Sequence, residues 1–63
     1  MLPFQERVVD EKRDLDTKLE KLIAFTQGET YAALTEAEKS RLRNQARFMD
    51  EYSAVLADRI AAF

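Results

Sequence analysis

Two long amphipathic segments, about residues 4–25 and 36–63, flank one short polar stretch that holds the only glycine of the chain, Gly28. Apolar residues recur in both segments at the period of a helix with 3.6 residues per turn. The chain is therefore expected to fold back on itself as two antiparallel helices. A lone hairpin hides only one face of each helix, and the second segment carries more apolar surface than one partner can cover. Large uncovered apolar patches mark interfaces. The predicted architecture is all-α: a two-helix antiparallel hairpin that assembles into a homo-oligomeric bundle. It forms a single domain over residues 1–63, with helices over about 4–26 and 36–63 and a connection over about 27–35.

Size points the same way. A chain of 63 residues has room for one domain. Folds this small bury a modest share of their surface and commonly lean on disulfides, a metal or self-association. The chain contains no cysteine and no histidine, which removes disulfides, thiol chemistry and the usual zinc sites. No metal and no cofactor is expected, and self-association is what remains. Ten basic and twelve acidic residues give a net charge of −2, which argues against duplex nucleic acid as a partner. No apolar run approaches the roughly 18 residues of a membrane span. The opening Met1-Leu2-Pro3-Phe4 lacks a basic leader, so a cytoplasmic location, in a bacterial host, is expected.

In the first segment Phe4, Val8, Leu15, Leu19, Leu22 and Ile23 form one stripe, interrupted around Glu11 and Lys12. Pro3 suits a first helical turn, where its missing N–H is not needed. The helix is predicted to end at Phe25 to Gln27, with Gly28 as a left-handed cap. Glu29 to Leu34 has room for a single helical turn. Thr35-Glu36-Ala37-Glu38 reads as a capping box opening the second helix. Beyond it Leu42, Met49, Leu56 and Phe63 repeat every seven residues, with Gln45, Tyr52 and Arg59 at the intervening seam positions. Phe48 and Val55 widen one flank; Ala46, Ser53 and Ile60 widen the other. Phe48, Val55, Ile60, Phe63 and Tyr52 are the candidate residues of the oligomer interface. Antiparallel pairing is predicted to set Leu22 against Leu42, Leu15 against Met49, Val8 against Leu56 and Phe4 against Ile60. The polar gap at Glu11 then meets Tyr52, and Glu6 or Arg7 meets Arg59, a network that would fix register, with contact to a ligand as the alternative reading.

Enzyme constellations are missing: without His or Cys there is no imidazole base and no thiol nucleophile, and Gly28 alone makes no phosphate loop. A non-enzymatic role is expected. The stretch Lys39-Ser40-Arg41-Leu42-Arg43-Asn44-Gln45-Ala46-Arg47 holds four basic residues and no acid. Lys39, Arg43 and Arg47 fall on one helical line, where like charges repel unless an anion or acidic groups of another subunit compensate. The hairpin adds Lys18 and Lys21 nearby, while the connection contributes Tyr31 as a stacking ring and Thr30 as a hydrogen-bonding group. Arg43, Arg47, Tyr31, Lys18, Lys21 and Thr30 are thus the candidate ligand-binding residues, for a small phosphate-bearing molecule. The plainer alternative is a solvated basic face balanced by Glu20, Glu36 and Glu38.

The run Phe4-Gln5-Glu6-Arg7-Val8-Val9-Asp10-Glu11-Lys12, continuing through Leu15-Asp16, Lys18, Lys21-Leu22 and Phe25, resembles short helical proteins of tailed phages and prophages. So does Met49-Asp50-Glu51-Tyr52-Ser53-Ala54-Val55-Leu56-Ala57-Asp58-Arg59-Ile60. In size and hairpin form the chain is also similar to the phage sponge proteins of the anti-CBASS and anti-Thoeris type. Those assemble into oligomers and sequester cyclic or ADP-ribose-derived immune nucleotides of the host. The resemblance implies a homo-oligomer that sequesters a small nucleotide signal. A protein-interaction module, docking its surplus apolar face on a host protein, is the alternative from the residues themselves.

Overall fold

The computed structural model describes residues 1–63 and is all-α, with helices α1 (Pro3–Thr26), α2 (Glu29–Ala32) and α3 (Glu36–Ala61). Pro3 sits in the first turn of α1, and the Gln5 side chain reaches back to accept the Leu2 N–H at 2.9 Å. At the far end the Thr26 hydroxyl donates to the Ile23 carbonyl at 2.6 Å. Gly28 is not left-handed: its φ of −99° and ψ of 173° are extended, and no residue has positive φ. The reason is that Gly28 opens α2 as well as following α1, and the residue capping a helix N-terminus takes the extended region. Its glycine identity is thus not demanded by backbone geometry. A Cβ there would meet only the Phe25 carbonyl oxygen, at an ordinary 3.5 Å.

The cap of α3 forms by half. Thr35 is extended and its hydroxyl accepts the Glu38 N–H at 3.1 Å. The Glu38 carboxylate turns to Arg41, 3.2 Å away. Both acids of this first turn, Glu36 and Glu38, also suit the positive end of the helix dipole.

α1 and α3 pack side by side along their length. On α1 the covered face runs through Val8 and Leu19, which are buried, and half-buried Val9, Lys12, Leu15, Asp16 and Leu22. On α3 it runs through buried Ser53 and Leu56 with half-buried Leu42, Ala46, Met49 and Ile60. The seam therefore takes Ala46, Ser53 and Ile60 as its second column, and the expected Gln45, Tyr52 and Arg59 face outward. Size explains the choice: Ala and Ser let two helix axes approach closely, whereas Tyr and Arg would hold them apart. Ile60, expected in the surplus interface, belongs to this seam.

The polar layer within the seam is real but differently composed. The Ser53 hydroxyl donates to Asp16 at 2.5 Å, and Lys12 bonds the other oxygen of the same carboxylate at 2.7 Å. Glu11 and Tyr52 are both exposed. Phe4 meets Phe63 edge-on at 5.9 Å instead of facing Ile60. Both pairs show α1 slipped by about one helical turn relative to the expected register. Pairing by apolar identity alone placed Glu11 in the gap; the carboxylate that can reach both a lysine one turn back and a serine across the seam is Asp16.

The hairpin measures 46 × 14 × 13 Å, with a radius of gyration of 14.5 Å against about 11 Å for a compact chain of this length. Its accessible surface of 4692 Å² exceeds the roughly 4,200 Å² of a compact monomer of the same mass. Only three apolar residues, Val8, Leu19 and Leu56, are buried, and Leu56 alone is fully enclosed. No helix is long and apolar enough to cross a membrane.

Candidate functional site

The connection gathers part of the expected basic site around Tyr31. Its hydroxyl accepts from the Arg43 guanidinium at 2.9 Å and lies 3.5 Å from the Lys39 carbonyl. One edge of its ring meets Phe25 with centroids 6.3 Å apart, and the Lys39 ammonium stands 5.8 Å from its centre. Lys39 itself pairs with Glu36 at 3.3 Å. Tyr31 is half-buried and acts as the post on which the connection rests. With its edge against Phe25, a cation over its ring and its hydroxyl engaged, it is poorly placed to stack on a base. Lys18, Lys21 and Thr30 are exposed, and neither lysine forms an ion pair. No concave surface joins these groups to Arg43.

The concavity lies elsewhere, on the outward face of α3. A shallow groove of about 440 Å³ is lined by Arg41, Asn44, Gln45, Phe48, Met49 and Tyr52. Residues three, four and seven apart on a helix share a face, which is why these six side chains converge. Phe48, Met49 and Tyr52 supply an apolar floor, with Phe48 57% and Tyr52 45% exposed. Arg41, Asn44 and Gln45 supply donors at one end. Arg41 is shared with Glu38 across an exposed ion pair, an interaction weak enough to yield to a better anion. The Arg47 guanidinium lies over Phe48, 4.8 Å from the ring centre, so one residue of the expected basic line borders the groove.

Aromatic floor and planar donors together can hold a flat ring by stacking and an attached anionic group by paired hydrogen bonds. Arg41, Asn44, Gln45 and Met49 were not among the candidates read from the sequence. The signal is present in the 41, 44/45, 48, 52 spacing, but the sequence places Gln45 and Met49 in the seam and Arg41 and Asn44 only within the basic stretch, whose binding line runs through Arg43 and Arg47. Val55, 55% exposed, continues this face toward the C-terminus, while Phe63 lies at the end of the hairpin against Phe4.

The charged cluster in the seam is of another kind. The hydrogen bond from Lys12, then that from Ser53, hold the Asp16 carboxyl below its ordinary value, against a smaller opposing effect of burial. Its two partners already occupy both oxygens. It has no role to offer a ligand, and it carries the register of the hairpin.

No curated protein and no solved structure matches the chain. The match that does exist is to a family and spans nearly the whole hairpin, from the turn before α1 to the end of α3: the Sequestin family model covers residues 2–62, and the chain belongs to that family.

Proposed function

We propose that this protein is a phage-encoded, non-enzymatic accessory protein that self-associates and sequesters a small nucleotide immune signal, thereby countering host defence. The observation that carries this reading is the α3 groove, in which an exposed aromatic floor lies beside Arg41, Asn44 and Gln45. A nucleobase matches the floor and a phosphate matches the donors. Its volume of about 440 Å³ falls in the range of small-molecule sites. Arg43, Arg47, Lys18 and Lys21 add attraction for an anion from the same half of the hairpin. The family name, Sequestin, speaks for sequestration, and the absence of histidine and cysteine fits capture without turnover.

Calorimetry with cyclic dinucleotides, cyclic trinucleotides and cyclic ADP-ribose isomers tests the proposal. At least one of them should bind. Because a charge-assisted contact is typically worth about 1.5–3 kcal/mol, Arg41→Ala should weaken that complex roughly ten- to a hundredfold. Loss of binding in Arg43→Ala with Arg41→Ala silent would return the site to the connection. If none of these nucleotides binds, sequestration of a nucleotide is refuted, and the exposed Phe48, Tyr52 and Val55 then favour docking on a host protein.

A further inference from the structure

All six residues lining the groove come from α3. A ligand lying there is walled on one side only, whereas small-molecule sites usually enclose about 70–90% of what they hold. The missing wall has to come from a second molecule, and α3 is built to receive one. Arg41, Gln45, Phe48, Tyr52, Val55 and Arg59 follow one another at steps of four, three, four, three and four. That is the spacing of a coiled-coil seam. It lies beside the seam that faces α1, and nothing in the hairpin covers it.

We propose that this stripe pairs α3 antiparallel with α3 of a second copy about a twofold axis, and that Arg59 of the second copy completes the groove. The completed-site half of the proposal rests on the sequestration reading above; the pairing half does not. Charge sets both the partner and the direction. Residues 36–47 of α3 carry four cations and two acids, and residues 48–61 carry three acids and one arginine. An antiparallel copy brings each half against its opposite, while a parallel copy would stack Arg41 on Arg41 and Arg59 on Arg59. Area is sufficient as well. With about 200 Å² per aromatic side chain, Phe48 and Tyr52 at 57% and 45% exposure each leave roughly 100 Å² to be covered. Adding Val55 and the stems of Arg41, Gln45 and Arg59 on both copies brings the total to the ~1,000 Å² that a specific interface needs.

Two antiparallel registers keep the aromatic residues against apolar ones. One sets Phe48 opposite Tyr52, which places Arg59 of the second copy opposite Arg41. The other sets Tyr52 opposite Val55, which places it opposite Phe48. In both, a second guanidinium arrives at the groove. Twofold symmetry then gives two identical sites per dimer, each drawing on both chains.

The chain has no cysteine, so single cysteines can be introduced cleanly. An equimolar mixture of Asn44→Cys and Arg59→Cys proteins, treated with a short bismaleimide, should yield a crosslinked heterodimer, and an Asp14→Cys and Arg59→Cys mixture should not. Sedimentation velocity at micromolar concentration should show a dimer or larger species for the wild type. Tyr52→Asp should lower the association constant at least tenfold while keeping its helical circular dichroism. A wild-type monomer, a Tyr52→Asp protein that associates normally, or equal crosslinking in both mixtures overturns the pairing. If Tyr52→Asp unfolds, Tyr52→Ser with the crosslinking pair decides. Binding of cyclic di-AMP and of cyclic ADP-ribose then tests the shared site. Arg41→Ala and Arg59→Ala should each lose at least tenfold in affinity. Mixing the two should restore about a quarter of the tight sites, because half the dimers are mixed and each has one intact site. No restoration refutes a site built from two chains. A wild type that dimerises as described but binds neither probe nor the wider nucleotide panel sinks sequestration, and with it the completed site, while the interface stands.

Discussion

Replacing Leu56 by Ala removes the most enclosed side chain of the hairpin, which is only 1% exposed. Leu→Ala changes at buried sites cost about 2–5 kcal/mol, the upper values arising where the surroundings cannot close the cavity. Here Ile60, one turn on, is half-buried, as are Met49 and Val9 elsewhere along the same seam, so the surroundings can relax and about 3 kcal/mol is expected. A chain of this length has roughly 3–9 kcal/mol of stability in all, and one with three buried apolar residues belongs near the lower end. Leu56→Ala should therefore leave the hairpin largely unfolded or lower its melting temperature by at least about 12 °C. Far-UV circular dichroism, by heat and by urea, reads this, at one fixed protomer concentration so that any difference in self-association does not enter the comparison. Val55→Ala is the matched control. Its neighbour Val55 is 55% exposed, so the isolated hairpin should change by no more than about 0.5 kcal/mol. If Val55 is covered by a second copy, that cost grows as concentration rises. A Leu56→Ala protein within about 1 kcal/mol of wild type, alongside a costly Val55→Ala at low concentration, would show that the wrong face of α3 had been assigned to α1.

Thr35→Ala should cost about 1 kcal/mol in urea unfolding, since it removes the one side-chain cap of α3. Gly28→Ala should change stability by no more than about 0.5 kcal/mol, because Gly28 has negative φ and its Cβ would meet only an ordinary contact at 3.5 Å; a large loss would contradict the extended conformation. Asp16 carries a pH dependence whose sign is set: its carboxyl is lowered below 3.8, so its contribution is present above that value and disappears as pH falls through the folded value. Urea midpoints should fall from neutral pH to about pH 2.5 more steeply in wild type than in Asp16→Asn; parallel curves would remove Asp16 as a source of acid sensitivity.

Much of the fold was legible because helices announce themselves by period and punctuation. The short α2 and the Thr35 side of the α3 cap follow from local chemistry, which a sequence displays; α1 ends where expected, but through an αR Gln27 and an extended Gly28 rather than a left-handed glycine. Register is different. It depends on which polar residue in an otherwise apolar stripe finds a partner across the seam. Asp16 and Glu11 are both acids on a helix that needs one of them inside. What selects Asp16 is a lysine four residues before it and a small hydroxyl opposite, and the second of these is visible only once the helices are set side by side.

The site was harder to read for a related reason. α3 carries two seven-residue patterns that lie next to each other on its surface, one through Ala46, Ser53 and Ile60 and one through Gln45, Tyr52 and Arg59. Spacing cannot rank them, since both share Leu42, Met49 and Leu56 as neighbours. Side-chain size does rank them: the close approach of α1 selects the column that holds Ala46 and Ser53, with Ile60 at its end, and the larger polar and aromatic column is left facing outward. Once that choice is made, Gln45 and Tyr52 cease to be seam residues and become the end and floor of a groove with Phe48. Arg43, by contrast, looked free in the sequence and is bound to Tyr31 in the fold. A basic residue read from spacing alone is thus a candidate until its local partner is known, whereas Phe48, left 57% exposed beside exposed Tyr52 and Val55, belongs to a contiguous apolar patch, the kind of surface that marks interfaces.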